Sequence, residues 1–157
     1  MIYILLGTNL GNKLSNLSNA IQKLSSFSLL ITRTSSIYKT AAWGNTNQDD
    51  FLNQVLEIKT NIDPQELLKI CLSIEKEIGR IRNEKWEARI IDIDILFYNE
   101  ITFTNKDLNI PHEFLHKRGF TLQPMAELNP NLMHPVLKKT IRELLDNCED
   151  NLPVEKL

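Results

Sequence analysis

An alternation of short apolar runs with amphipathic stretches is the feature that most constrains how this chain folds. The chain opens on an apolar run over 2–6, which predicts a buried strand. Apolar residues at three- and four-residue spacing after Asn12 predict a first helix. A second helix is predicted to begin after Asp63 and to end at Gly79. Three further segments with apolar or β-branched residues predict strands: about 29–38, 51–58 and 90–97.

The predicted order of these segments is β-α-β-β-α-β, which is typical of a ferredoxin-like split βαβ sandwich of the α+β class. Helical stretches near 118–128 and 140–147 add extra C-terminal helices to this prediction. A length of 157 residues, 42% of them hydrophobic, favours a single domain over residues 1–157. No apolar run approaches the roughly 18–20 residues of a membrane-spanning helix. The fold class hosts many functions, so function has to be argued from particular residues.

Charge and cysteine content narrow the class of protein. The formal net charge of −2 argues against a general nucleic-acid binder, although it leaves room for a local anion site. Cys71 and Cys148 are too far apart in sequence to suggest a disulfide framework or a Cys-rich zinc motif. The N-terminus has neither the basic segment nor the cleavage site of a signal peptide. We therefore expect a cytoplasmic protein.

The sharpest candidate for chemistry is the segment Asp92-Ile93-Asp94, which lies in a predicted strand. Residues two apart in a strand point to the same face, so both carboxylates project together. Their mutual repulsion requires a nearby cation, and Mg²⁺ held by carboxylates and substrate phosphates is the natural one. The alternative is a strand whose solvated face happens to carry aspartates, and the pair alone does not separate the two interpretations.

Cationic side chains surround this strand in the sequence. Arg80 and Arg82 follow the predicted helix end, and Arg89 directly precedes the strand. His112 and Arg118 come later, at a spacing that one turn of helix could aim at a single ligand. Guanidinium groups bind phosphate oxygens while carboxylates hold Mg²⁺, so the cluster predicts a nucleotide–metal site. The alternative is a solvated loop that forms ion pairs of its own.

Two phenylalanines and one asparagine suggest a site for a flat heterocycle. Phe51 begins a predicted strand, Asn53 shares its face, and Phe120 begins a predicted helix. Rings can stack on such a ligand while an amide recognises its edge; the alternative is that both phenylalanines belong to the core. The segment 7–11, Gly-Thr-Asn-Leu-Gly, joins a strand to a helix as phosphate-binding loops do. It lacks the Walker A ending and the GxGxxG spacing, so its signal is weak.

In order and spacing, these motifs resemble the 6-hydroxymethyl-7,8-dihydropterin pyrophosphokinase family over nearly the whole chain. The matching segments are Gly7-Thr8-Asn9-Leu10-Gly11, Tyr38-Lys39-Thr40, Phe51-Leu52-Asn53, Gly79-Arg80-Ile81-Arg82, Trp86, Arg89, Asp92-Ile93-Asp94-Ile95-Leu96, Pro111-His112 and Arg118-Gly119-Phe120. The resemblance implies transfer of a diphosphate group from ATP to the hydroxymethyl group of the pterin, with release of AMP. It implies ATP as co-substrate and two Mg²⁺ ions. We also expect a monomer with no nucleic-acid or membrane partner.

The same resemblance implies roles for individual residues. Asp92 and Asp94 would ligate the two Mg²⁺ ions, and Arg82 and Arg89 would be catalytic. The residues implied to bind ATP are Glu75, Arg80, Arg82, Trp86, Arg89, Ile95, Leu108, His112 and Arg118. Those implied to bind the pterin are Thr40, Trp43, Phe51, Asn53 and Phe120. The chain departs from the usual family pattern at Glu87-Ala88 and at Ala41-Ala42-Trp43, which bears on loop closure.

Three other functions fit parts of the pattern. Another Mg²⁺–ATP enzyme on the same fold would transfer a monophosphate and release ADP. A ferredoxin-like module that senses a small molecule would show no turnover. A single-stranded RNA binder would need exposed aromatic residues with basic flanks on its central strands. The predicted open face carries Asp92 and Asp94 instead, and carboxylates repel phosphate unless a metal intervenes.

Overall fold

The computed structural model describes residues 1–42, 47–80 and 88–157. The elements, in chain order, are β1 (Ile2–Thr8), α1 (Lys13–Ser26), β2 (Leu30–Thr34), β3 (Tyr38–Thr40), β4 (Phe51–Lys59), α2 (Pro64–Ile78), β5 (Asp92–Tyr98), β6 (Phe103–Thr104), β7 (Asn109–Ile110), a 3-10 helix (Leu115–Lys117), α3 (Gly119–Leu128), α4 (Ile141–Asp146) and β8 (Val154–Lys156). The mixed α+β architecture, with helices near the C-terminus, confirms the predicted ferredoxin-like class. Within the described ranges, no helix is long and apolar enough to cross a membrane.

Over the described ranges, the main sheet is antiparallel and has six strands. Its order is β5-β1-β4-β3-β8, and β2 pairs with the far half of β4. The central strand β1 pairs with β4 on one side and β5 on the other, which places Gly7 opposite both Asn53 and Asp92. Segments that are distant in sequence therefore meet at one end of the sheet.

Helices cover both faces of this sheet. Alternate residues of a strand point to opposite faces, and β1 accordingly sends Ile4 into one apolar cluster and Leu5 into the other. The first cluster includes Leu17 and Leu24 of α1 and Leu67, Cys71 and Ile74 of α2. The second includes Leu122 and Met125 of α3 and Ile141 and Leu144 of α4.

The helix ends follow the local sequence signals. Asn12 Oδ1 accepts a hydrogen bond from the N–H of Ser15 (3.1 Å), which is the expected cap of α1. The Asp63 carboxylate caps α2, and Gly79 ends it with φ of 112°, a left-handed conformation that favours glycine. Thr140 and Glu143 form a complete capping box at α4. The predicted start of α1 and the predicted start and end of α2 are confirmed.

The predicted strand over about 29–38 is wrong in one respect, because the chain forms two strands, β2 and β3, in that region. At the break, the Ser35 hydroxyl accepts a hydrogen bond from the N–H of Val55 (2.9 Å), while the Ser35 N–H donates to the Val55 carbonyl (2.9 Å). A side-chain oxygen thus replaces a backbone carbonyl as acceptor and interrupts the ladder.

Candidate active site

Two carboxylates stand side by side on β5, at one edge of the sheet. Asp92 and Asp94 occupy alternate positions and keep 19% and 29% of their side-chain surfaces exposed. The isoleucines between and around them, Ile91, Ile93 and Ile95, are at most 3% exposed and lie in the core. The two-residue spacing therefore places both carboxylates on the same open face, as the sequence predicts.

Among the residues that the structure describes, two guanidinium groups bind Asp92. Arg80, which directly follows the end of α2, pairs with one carboxylate oxygen, and Arg89 pairs with the other. Burial opposes ionisation of Asp92, but the charges of Arg89 and Arg80 prevail and lower the pKa of this carboxyl group. Asp92 is therefore an anion in a cationic setting.

Glu75 holds the edge strand against α2. Its carboxylate is 2% exposed and accepts a hydrogen bond from the backbone N–H of Ile93 (2.8 Å). The same oxygen lies 2.8 Å from Nη1 of Arg80. Because Arg80 also pairs with Asp92, Glu75 orients the guanidinium group that contacts the carboxylate pair.

Asp94 faces a neutral histidine. His112 Nε2 lies 4.0 Å from the Asp94 carboxylate, and His112 Nδ1 accepts a hydrogen bond from the N–H of Phe114 (3.2 Å). Burial and the Arg118 charge lower the pKa of His112 to about 4, so the imidazole is neutral and carries its proton on Nε2. Burial and the neighbouring Asp92 charge raise the pKa of Asp94. A neutral imidazole thus lies beside the carboxyl group whose pKa is raised.

A cavity opens beside Asp94, where apolar and polar side chains share the wall. Ile95 and Leu108 line it together with Asp94, His112, Leu68 and Ile93. Several residues implied to bind the nucleotide therefore lie together. Asp107, Asn109 and Glu113 complete the lining. An apolar wall with polar groups beside it suits a ligand with a flat base and a polar edge.

Thr40 and Asn53 meet on the neighbouring strands β3 and β4. Asn53 is 2% exposed and donates a hydrogen bond from Nδ2 to Oγ1 of Thr40 (3.0 Å). Phe51 lies two residues before Asn53 on β4 and is partly buried. This bond fixes the amide plane of Asn53, whose remaining polar positions can recognise a ligand edge.

Gly7 explains how these groups come close to the carboxylates. A Cβ atom built on Gly7 would lie 3.2 Å from Oδ1 of Asn53, and 4.0 Å from both Phe51 Cδ1 and Asp92 Cβ. The sequence suggested a weak phosphate loop over 7–11, whereas Gly7 and Thr8 belong to β1. The glycine serves close packing at the centre of the site.

Cations and aromatic rings are also in contact. The Arg89 guanidinium carbon lies 6.0 Å from the centroid of the Phe51 ring. That of Arg118, a residue 8% exposed, lies 5.6 Å from the Phe120 ring and 5.0 Å from the Phe114 ring. Arginine–aromatic contacts of this kind fix the orientation of both partners. They connect the carboxylate region with both predicted aromatic residues.

Asn9 has a role in the site that sequence reasoning did not assign, although it belongs to the segment 7–11. It is 1% exposed, and its Oδ1 accepts a hydrogen bond from the N–H of Arg89 (2.8 Å). Its Nδ2 donates to Gln48 Oε1 (3.0 Å) and to the Asp49 carbonyl (3.2 Å). Asn9 thereby joins the backbone at Arg89 to the segment just before β4. The available signal was a polar residue directly after a buried strand.

Three expected site residues, Trp43, Arg82 and Trp86, lie outside the described residues.

The donor set of the described site fits Mg²⁺. The described ranges contain no cluster of three or more His, Cys, Asp or Glu side chains that could hold a metal. Mg²⁺ does not require such a cluster, since it is usually bound through one or two carboxylates, with phosphate and water oxygens completing the octahedron. Asp92 and Asp94 supply two carboxylates on one face, with arginines beside them for phosphate.

Comparison with known proteins identifies relatives of the chain. A family model described as 7,8-dihydro-6-hydroxymethylpterin-pyrophosphokinase (HPPK) matches residues 3–130. A protein of Aquifex aeolicus named 2-amino-4-hydroxy-6-hydroxymethyldihydropteridine pyrophosphokinase is 45% identical over 142 residues, which are 90% of this chain and 88% of the relative. A protein of the same name from Methylorubrum extorquens is 40% identical over 144 residues, covering 91% and 90% of the two chains.

Solved structures show the same fold. Wild-type Plasmodium falciparum HPPK-DHPS with STZ-DHP has a TM-score of 0.75 to this chain at 19% identity. The match covers 92% of this chain and 42% of that longer protein, so this chain spans less than half of its length. The family model and the two relatives together show that the chain belongs to the 7,8-dihydro-6-hydroxymethylpterin-pyrophosphokinase family.

Proposed function

We propose that the chain transfers a diphosphate group from MgATP to the hydroxymethyl group of 6-hydroxymethyl-7,8-dihydropterin, giving the pterin diphosphate and AMP, in folate biosynthesis. Family membership and the names of the two relatives support this activity. The observation that carries it here is the cluster on β5, where Asp92 and Asp94 meet Arg80, Arg89 and His112. Paired carboxylates with cations around them match the needs of a metal-bound polyphosphate.

The carboxylates are the proposed metal ligands. Asp92 and Asp94 would hold two Mg²⁺ ions. ATP is the co-substrate that the family uses. When bound, the metal neutralises charge on the phosphate oxygens. In the present structure, Arg80 and Arg89 neutralise Asp92, and both side chains are long enough to exchange a carboxylate for a phosphate partner.

Three arginines, the neutral His112 and the cavity beside Asp94 form the proposed ATP site. Arg80, Arg89, His112 and Arg118 would contact phosphates, and Ile95 and Leu108 would line the nucleotide pocket, for which their shared cavity with His112 gives support. Glu75 would act by orienting Arg80. Arg82 and Trp86 are proposed from the resemblance alone, because they lie outside the described residues.

The pterin is proposed to bind near Gly7, between β4 and the start of α3. Phe51 and Phe120 would stack on its ring, and Asn53, fixed by Thr40, would recognise its edge. Trp43 lies outside the described residues, and its proposed contact with the pterin rests on the family resemblance alone.

The reaction needs little covalent help from the protein. The pterin hydroxyl oxygen attacks the β-phosphorus, and the bond from that phosphorus to the oxygen bridging it to the α-phosphorus breaks. AMP leaves with the bonding electrons, and the hydroxyl proton is released. Positioning and charge stabilisation supply most of the acceleration in such transfers. Arg89 and Arg82 are the proposed catalytic residues, and no general base is assigned.

The discriminating assay is product analysis after incubation with ATP, Mg²⁺ and the hydroxymethyl dihydropterin. AMP and a pterin diphosphate are expected, and ADP as the nucleotide product would refute the proposal. The variants Asp92→Asn and Asp94→Asn should lose turnover while keeping the wild-type circular dichroism spectrum. Full activity in either variant would contradict the metal role, and absence of turnover in the wild type would favour a ligand-sensing module.

A monomer that uses two small-molecule substrates, without a nucleic-acid or membrane partner, is part of the proposal, as is a cytoplasmic location. The net charge of −2 supports the lack of a nucleic-acid partner. Size-exclusion chromatography with light scattering tests the oligomeric state, and a dimer would contradict it.

A further inference from the structure

The helix α3 starts without a cap of its own. Its N-cap residue is Arg118, whose side chain makes no capping hydrogen bond. The first backbone N–H groups of a helix have no partner within it, and they normally bond to a short polar side chain at the N-cap. Arg118 and Phe120, which flank the first residue Gly119, are both proposed to contact substrates. The way this turn is held therefore bears directly on the active site.

The missing cap comes from the C-terminal tail. Asp150 Oδ2 accepts a hydrogen bond from the N–H of Gly119 (2.9 Å), across 31 positions of sequence. Asp150 Oδ1 accepts a second bond from the N–H of Leu152 (3.1 Å), which fixes the carboxylate on the tail. A carboxylate is also the favourable charge at this end of a helix.

The tail packs directly on the start of α3. A Cβ atom built on Gly119 would lie 3.4 Å from Val154 Cγ2 and 3.6 Å from Asp150 Oδ2. Beyond Asp150 the tail forms β8, in which Val154 pairs with Thr40 on β3. One short segment therefore contacts both the Arg118–Phe120 turn and the strand that carries Thr40.

The C-terminal end of α3 contacts β3, the segment just before β3, and β8. Glu127 accepts hydrogen bonds from the Tyr38 hydroxyl (2.6 Å) and from the backbone N–H of Ser36 (3.0 Å). Lys156 of β8 lies 3.7 Å from the Glu127 carboxylate. The C-terminal end of α3 is fixed in this way, and at its first turn the Asp150 carboxylate holds the N–H of Gly119.

We propose that Asp150 is a positioning residue of the active site, which holds the first turn of α3 through Gly119 and so sets where Arg118 and Phe120 meet the substrates. This inference rests on the proposed function, because it treats those two side chains as substrate contacts. Asp150 itself touches neither substrate in the proposal.

The test is steady-state kinetics of the full chain with Asp150→Ala and Asp150→Asn, well below the melting temperature of each. Asp150→Ala should raise the KM for the pterin by about fivefold. The loss of one helix cap changes the equilibrium constant for forming the first turn by about this factor. Asp150→Asn keeps an acceptor oxygen for Gly119 and should recover most of the wild-type KM. Glu149→Gln, at the exposed neighbouring position, is the matched control and should behave as the wild type.

Two results would overturn the inference. The first is a wild-type KM and kcat in Asp150→Ala. The second is an equal loss of activity in Asp150→Ala and Asp150→Asn, together with an equal fall in melting temperature, because a merely structural role predicts that result. If Asp150→Ala does not fold, Asp150→Glu replaces it, since the longer side chain moves the carboxylate away from Gly119 and should raise the same KM. If the wild type forms no AMP, the proposed function is refuted. If the wild type is active and the Asp150 variants have the same KM and kcat, this inference alone is refuted.

Discussion

Removing the Glu75 carboxylate should destabilise the protein far more than removing a carboxylate elsewhere on the same helix. In Glu75→Ala, the N–H of Ile93 loses its acceptor and Arg80 loses one of its anionic partners. Both contacts are inaccessible to water, because Glu75 is 2% and Arg80 11% exposed. Water therefore cannot replace the lost oxygen without rearrangement of the edge strand.

The magnitude follows from the two lost contacts. A hydrogen bond to a charged group is worth about 1.5–3 kcal/mol, and removing one partner of a buried ion pair costs about 3–5 kcal/mol. Since Arg80 keeps Asp92 as a partner, the lower end applies, and we expect a loss of about 3 kcal/mol in Glu75→Ala. Glu75→Gln retains an oxygen for the Ile93 N–H and should lose about 1–2 kcal/mol.

Urea denaturation of both variants and of Glu77→Ala measures these values. Glu77 lies on the same helix and pairs with Lys23 at 2.6 Å, but 53% of its side chain is exposed. Exposed pairs contribute about 0–1 kcal/mol, so Glu77→Ala is the matched control. A loss below about 1 kcal/mol in Glu75→Ala, or an equal loss in Glu77→Ala, would refute the argument from burial.

Two further substitutions test the centre of the site. Gly7→Ala puts a methyl group 3.2 Å from Oδ1 of Asn53, so the amide has to shift. The KM for the pterin should therefore rise about tenfold while the KM for ATP stays unchanged. Equal changes in both KM values would contradict this. Asn9→Ala removes the acceptor for the Arg89 N–H, and kcat should fall about tenfold in protein that keeps its circular dichroism spectrum; an unchanged kcat would contradict the role.

The predictable part of this molecule is what neighbouring residues decide. Asn12, Asp63 and Gly79 act within one helical turn, so the sequence shows where α1 begins and where α2 begins and ends. In the same way, the two-residue spacing of Asp92 and Asp94 predicts their common face.

Long-range pairing is what the sequence did not reveal. The bond from Arg89 to Asn9 spans 80 positions, and that from Gly119 to Asp150 spans 31. Neither residue pair forms a local pattern. The strand β8, three residues long, exists because β3 offers an edge for it, and nothing in Val154–Lys156 predicts a strand on its own.

The place of β5 at the sheet edge has a consequence for solubility. An edge strand presents backbone groups that can pair with a strand of another molecule. Here Glu75 takes the Ile93 N–H, and the N–H of His112 donates to the Leu96 carbonyl (3.0 Å). Glu75 and His112, both proposed to belong to the ATP site, thus also protect this edge from strand addition. Variants that weaken these contacts should lose activity, and they should also aggregate more readily.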